Sequence, residues 1–120
     1  MGSPLRRFKA DFFKALAHPG RIKMVDDLRT GEKTVGELQA LLEDEAASAS
    51  QHLAILRAKG IVEGRQDGNR VYYTVTDPKI FELLDVAREI FNTHLVFTRD
   101  LLVELDDEDQ SAKAAPTQGR

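Results

Sequence analysis

Hydrophobic positions recur at helical spacing through most of the chain, and one short stretch switches to a period of two. Leu5, Phe8, Phe12 and Leu16 share one face of a first helix over residues 5–17, which Phe13 widens. His18-Pro19 opens a second helix, because proline suits the first helical position. Ile22, Val25 and Leu28 form its expected buried face with Met24 beside them, and Gly31 stops it. Thr34-Val35-Gly36-Glu37 is a T-x-x-E capping box for a third helix, whose apolar positions are Val35, Leu38, Leu41 and Leu42. Ala49, Leu53 and Leu56 give a fourth helix its core face, and Arg57, Lys59 and Gly60 are a normal helix ending. Two starts compete for that helix: Ser48 with Gln51 forms an S-x-x-Q box, and Asp44 is an alternative cap.

The period of two follows at once. Val71, Tyr73 and Val75 alternate with Tyr72 and Thr74, Ile61-Val62 begins a partner strand, and Gln66-Asp67-Gly68-Asn69 lies between them as a turn. Three helices and a hairpin, in that order, predict a winged helix-turn-helix: a mainly α fold with a small β-hairpin, the last of the three helices being the reader.

Asp77-Pro78 starts a final helix expected to reach about Leu105, roughly 42 Å at 1.5 Å per residue. Its apolar residues cover more than one stripe, which a domain of this size cannot bury alone. A homodimer is therefore expected, packed through the first and last helices, with Phe8, Phe12, Ile90, Phe91, Leu95, Phe97 and Leu101 in the interface. Residues 106–120 contain no large apolar side chain and are expected to be a disordered acidic tail on a single domain of residues 1–105.

Charge and composition narrow the function. The net charge is −3, unevenly spread: residues 1–76 hold 12 basic and 10 acidic side chains, residues 77–120 hold 5 and 10. A mildly basic head suits a DNA binder with few phosphate contacts. The chain has no cysteine, which excludes disulfides and thiolate metal sites and suits the cytosol. No signal peptide and no run of about 18 apolar residues is visible, so a cytoplasmic protein with no membrane span is expected.

The chemistry lies on the fourth helix and the hairpin tip. Opposite its core face the helix carries Ala47, Ser50, Gln51 and Ala54, flanked by Ser48, with no acid and no large apolar group on that face. In a major groove, Ser and Gln pair with base edges and Ala touches a thymine methyl. Arg65 and Arg70 flank the hairpin tip and suit the phosphate backbone or the minor groove. No nucleophile–base pair, no paired carboxylates in a plausible pocket and no phosphate loop are present, so an enzyme is not expected.

Three runs carry a family resemblance. ALAHPGRIKMVDDL resembles the opening of the ArsR/SmtB family of bacterial repressors, TVGELQALL its third helix, and SASQHLAILRAKGIVEGRQDGNRVYY its reader helix and wing. The similarity covers about residues 8–97 and implies a dimeric winged helix that binds double-stranded DNA at a palindromic operator and regulates transcription, as a repressor, in response to some effector. By position it places Ser48, Ser50, Gln51 and His52 on the DNA-contacting helix, and Gln66 to Arg70, including Asn69, at the wing tip. The departures are specific. Where a metal-sensing branch carries Cys-x-Cys, this chain reads Thr34-Val35-Gly36-Glu37. Where another binds zinc between its last helices, only Asn92-Thr93-His94 matches, and Leu105 stands where a ligand histidine belongs. No cofactor is assigned. His94 in a looser His/carboxylate site leaves a nickel- or zinc-type metal response open as the alternative, beside a winged-helix interaction module that has lost DNA binding. His18 is expected to cap or pack at its helix start, His52 to fix the reader helix or touch a phosphate, and His94 to lie at the dimer seam.

Overall fold

The computed structural model describes residues 3–42 and 48–118, with side chains to residue 110. Two compact units divide the chain, Met1–Glu82 and Leu83–Arg120.

The first unit is the winged domain. Helix α1 (Pro4–Leu16) begins at Ser3, whose hydroxyl accepts from the Arg6 amide at 3.3 Å. Helix α2 (Pro19–Asp27) is capped by His18, and a 3₁₀ turn (Leu28–Thr30) follows it. Strand β1 (Lys33–Thr34) leads into α3 (Val35–Ala40), where Thr34 and Glu37 form the expected reciprocal capping box. Helix α4 (Ala49–Ala58) precedes strands β2 (Val62–Asp67) and β3 (Arg70–Val75). The hairpin is the predicted one, with Asp67 paired to Arg70 across a Gly68–Asn69 turn. It is not two-stranded, however. β1 adds to it antiparallel, in the order β1-β3-β2, with Lys33 opposite Tyr73 and Thr34 opposite Tyr72.

The core lies between the helices and the inner face of the sheet. Met24, Val25, Leu38, Leu42, Leu53, Leu56, Ile61 and Val62 are all fully buried. Burying a side chain of this size stabilises by roughly 1.5–3 kcal/mol before entropy is counted. Ile22 departs from its expected place: it is 36% exposed, and Met24 takes the buried position instead. Leu41 is half-buried, because α3 stops at Ala40 and the chain turns.

The second unit is carried by α5 (Lys79–Gln118), which begins in the first. It has no break at Asn92-Thr93 and crosses position 105 as a helix, where a disordered tail was expected from residue 106. Extending an existing helix costs far less than nucleating one, so a segment without large apolar residues can continue it. One local bond supports the extension: the Gln110 amide donates to the Asp106 carboxylate one turn earlier at 3.2 Å.

Candidate nucleic-acid interface

Helix α4 is held at both ends. Ser48 is its cap: its hydroxyl accepts from the Gln51 amide at 3.2 Å, and the Gln51 side-chain oxygen accepts from the Ser48 amide at 3.0 Å. That settles the choice of start in favour of Ser48, while Asp44 and Ala47 lie outside the described residues. From α3, the Gln39 side-chain oxygen accepts from the Ala49 amide at 2.7 Å and ties the two helices together. At the other end Gly60 adopts φ +71°, and the Ile61 amide bonds back to the Leu56 carbonyl at 2.9 Å. This is a left-handed helix stop that a residue with a Cβ would strain.

One face of α4 is therefore fixed against the core through Ala49, His52, Leu53 and Leu56. The other presents Ser50, Gln51 and Ala54 to solvent, as the spacing predicts. Ile55 joins them, 41% exposed, one turn beyond Gln51. It stands neither three nor four positions from Ala49, Leu53 or Leu56, which sets it off their stripe, so this residue was legible in the sequence and was missed.

His52 is a correction as a DNA contact and stands as an anchor of the helix. Placed among the DNA-contacting residues by resemblance, its ring is buried at 2% exposure on the inner face. Its ring centre lies 4.5 Å from that of His18, the planes tilted by 53°, and its Nδ1 is 3.4 Å from Arg21 Nη1. The helical period explains this: His52 directly precedes Leu53 and follows Ala49 by three positions, so it turns inward with them.

The wing is less basic than its two arginines suggest. Arg65 crosses the outer face of the sheet, with Nη2 2.6 Å from Glu32 Oε1 and its guanidinium 5.1 Å from the centre of the Tyr72 ring. The bond to Glu32 raises the Arg65 pKa above its usual value. Asp67 lies 3.8 Å from the same guanidinium. Asn69 and Arg70 are exposed at the turn. Behind the wing, hydrogen bonds from the Thr34 amide and hydroxyl lower the Glu37 pKa, and the Arg70 charge helps to lower it.

A stabilised helix with a small polar face, followed by a hairpin with an exposed arginine at its tip, suits a groove reader and wing. The sequence pattern of the bacterial regulatory protein, arsR family, matches residues 18–64. The uncharacterized HTH-type transcriptional regulator Rv0081 of Mycobacterium tuberculosis is 46% identical over 90 residues, 72% of this chain and 77% of that one. The chain belongs to the ArsR family.

Solved structures agree with this ArsR-family assignment. The crystal structure of M. tuberculosis Rv0081 aligns with TM-score 0.67 at 42% identity, over 78% of this chain and 95% of that one. The homodimeric winged helix-turn-helix DNA-binding domain Mb0332 of Mycobacterium bovis, a solution structure, aligns with TM-score 0.67 at 30% identity, over 76% and 84%. The transcriptional repressor BigR of Xylella fastidiosa aligns with TM-score 0.60 at 36% identity, over 68% and 84%. The protein is thus a transcriptional regulator with a DNA-binding winged helix.

Among the described residues no group of three or more His, Asp or Glu side chains comes together to hold an ion. His94 stands exposed on α5, with Glu89 lining the same shallow hollow. One imidazole and one carboxylate fall short of the four ligands a zinc site needs. Among the described residues no helix is long and apolar enough to cross a membrane.

Proposed function

We propose that this ArsR-family regulator works as a cytoplasmic homodimeric repressor, reading a palindromic operator with Ser50, Gln51, Ala54 and Ile55 of α4. Its action is binding, not catalysis: a dimer seated on a promoter excludes polymerase. The observation that carries the reading is the face of α4, which is capped at Ser48, anchored inside by His52 and free of acids on its outer side. Ser48 and Gln51 give the helix its start, and Gln51 keeps two amide hydrogens to donate to a base edge. Asn69 and Arg70 at the wing tip supply backbone or minor-groove contacts.

The dimer is supported by apolar surface. Phe8 and Phe13 of α1 are 59% and 54% exposed, and Ile90, Phe91, Leu95, Phe97 and Leu101 of α5 lie between 45% and 65%. Phe12 is half-buried and stacks on Phe8, with ring centres 6.1 Å apart. So many large apolar side chains on two helices are not left in water; a second copy covers them. The relative Mb0332 is described as homodimeric, and BigR as a repressor. Two α4 helices about 34–36 Å apart then meet successive major grooves.

The test is a binding titration of purified protein with duplex DNA from upstream of its own gene, alongside sedimentation equilibrium. A dimer that prefers this duplex over an unrelated one supports the proposal. A monomer, or equal affinity for both duplexes, refutes it.

A further inference from the structure

Arg65 and Glu32 meet across the width of the sheet. Arg65 lies on β2 opposite Tyr72 of β3, and Glu32 immediately precedes β1 on the far side of β3. The guanidinium reaches over the Tyr72 ring and meets the carboxylate with two prongs, Nη2 to Oε1 at 2.6 Å and Nε to Oε2 at 3.3 Å. Val62 is buried on the inner face, and three residues later Arg65 points outward, so the whole clasp lies on the outer face. Both partners reach solvent, with side chains 56% and 38% exposed.

A carboxylate and a phosphate take the same fork of a guanidinium. The acid that holds Arg65 is therefore a direct competitor of the DNA backbone for it. An exposed pair of this kind adds little to the stability of the fold. What it changes is the charge the wing shows to a polyanion, since Glu32, Glu63 and Asp67 outnumber Arg65 and Arg70 there.

We propose that Glu32 is an affinity-setting residue of the DNA interface, occupying the Arg65 guanidinium in the free protein and yielding it only in competition with a backbone phosphate. The wing then binds weakly until α4 is seated in its own sequence, and unrelated DNA is released easily. This rests on the DNA-binding reading above.

The test uses the full chain, an unrelated duplex and a salt series, read by fluorescence anisotropy. Glu32→Gln keeps the size and one acceptor and removes the charge. It is expected to bind unrelated DNA roughly two- to tenfold more tightly at low salt, given the small worth of one exposed pair in each of two wings. Its plot of log affinity against log salt should be steeper by about 1 to 2, one phosphate contact per wing. In an Arg65→Gln background the same change should bring no gain. Unchanged or weaker binding by Glu32→Gln, or an equal gain in the Arg65→Gln background, overturns the proposal while DNA binding by the unaltered protein still stands. Absence of any binding by the unaltered protein at low salt overturns the DNA reading and this proposal together.

Discussion

The ring of His52, on the inner face of α4, lies 4.5 Å from the ring of His18, the residue that caps α2. His18 Nδ1 accepts from the Gly20 amide at 2.9 Å. Arg21, one residue on, sits 3.4 Å from His52 Nδ1 and donates through Nε to the Ala15 carbonyl. A single polar cluster therefore joins α1, α2 and α4. It is close-packed: a Cβ on Gly20 would come within 3.2 Å of atoms of both rings.

His52→Ala removes a buried ring and leaves Arg21 without that contact. It should destabilise the protein by about 2–4 kcal/mol, in the range for large core truncations. Urea denaturation monitored by circular dichroism checks this. A loss below about 0.5 kcal/mol would show that the ring does not anchor α4.

Gln51 caps α4 and is proposed to meet a base, and two substitutions separate the two roles. Gln51→Ala loses both the cap and the base contact, so it should cost about 0.5–2 kcal/mol of stability and about 1–3 kcal/mol of specific DNA affinity. Gln51→Glu keeps a capping oxygen but sets an acid against the groove. It should melt at or above the temperature of the unaltered protein and still lose specific binding. If Gln51→Glu bound its operator normally, the face of α4 would not be the reader.

Glu37 makes acid stability depend on the capping box of α3. Its pKa is lowered by hydrogen bonds from the Thr34 amide and hydroxyl, so folding favours the ionised form. The contribution is present above the unfolded carboxyl pKa and is lost as pH falls through the lower folded value. Glu37→Gln keeps a capping oxygen that does not titrate. Melting curves from about pH 7 to about pH 3, spanning the carboxylate range, should show the unaltered protein losing more stability than the variant. Parallel curves would mean that the Thr34–Glu37 pair does not form in solution.

Ile90→Glu puts a charge on an α5 position that is 65% exposed in one chain. Burial of that charge in a dimer seam is costly, so sedimentation equilibrium should show a shift towards monomer with the fold intact by circular dichroism. A dimer of unchanged strength would place the interface elsewhere.

Local chemistry was readable from the chain. The capping boxes at Thr34–Glu37 and Ser48–Gln51, the Gly60 stop and the Asp67–Arg70 hairpin each depend on neighbours a few residues apart, and each stands where the pattern placed it. Contacts between distant segments were not readable. Strand β1 has two residues and shows no alternation; only its pairing with β3 makes it a strand. The Glu32–Arg65 clasp and the Gln39 bond to Ala49 join residues that folding alone brings together. His52 was legible only as an anchor of its helix: resemblance placed it on the helix expected to contact DNA, whereas the helical period decides which side chains of that helix face outward. The run of α5 past Leu105 was hidden for the opposite reason: a composition that cannot build a core can still prolong a helix.

Selection from a pool of random duplexes with the purified protein tests most directly whether α4 reads DNA as one of a symmetric pair. Repeated binding and amplification should enrich one palindrome, its half-sites about 10 base pairs apart from centre to centre, and Gln51→Glu should fail to enrich it. A pool that stays random with the unaltered protein, or an enriched sequence without two-fold symmetry, would contradict a dimer that reads DNA through this helix.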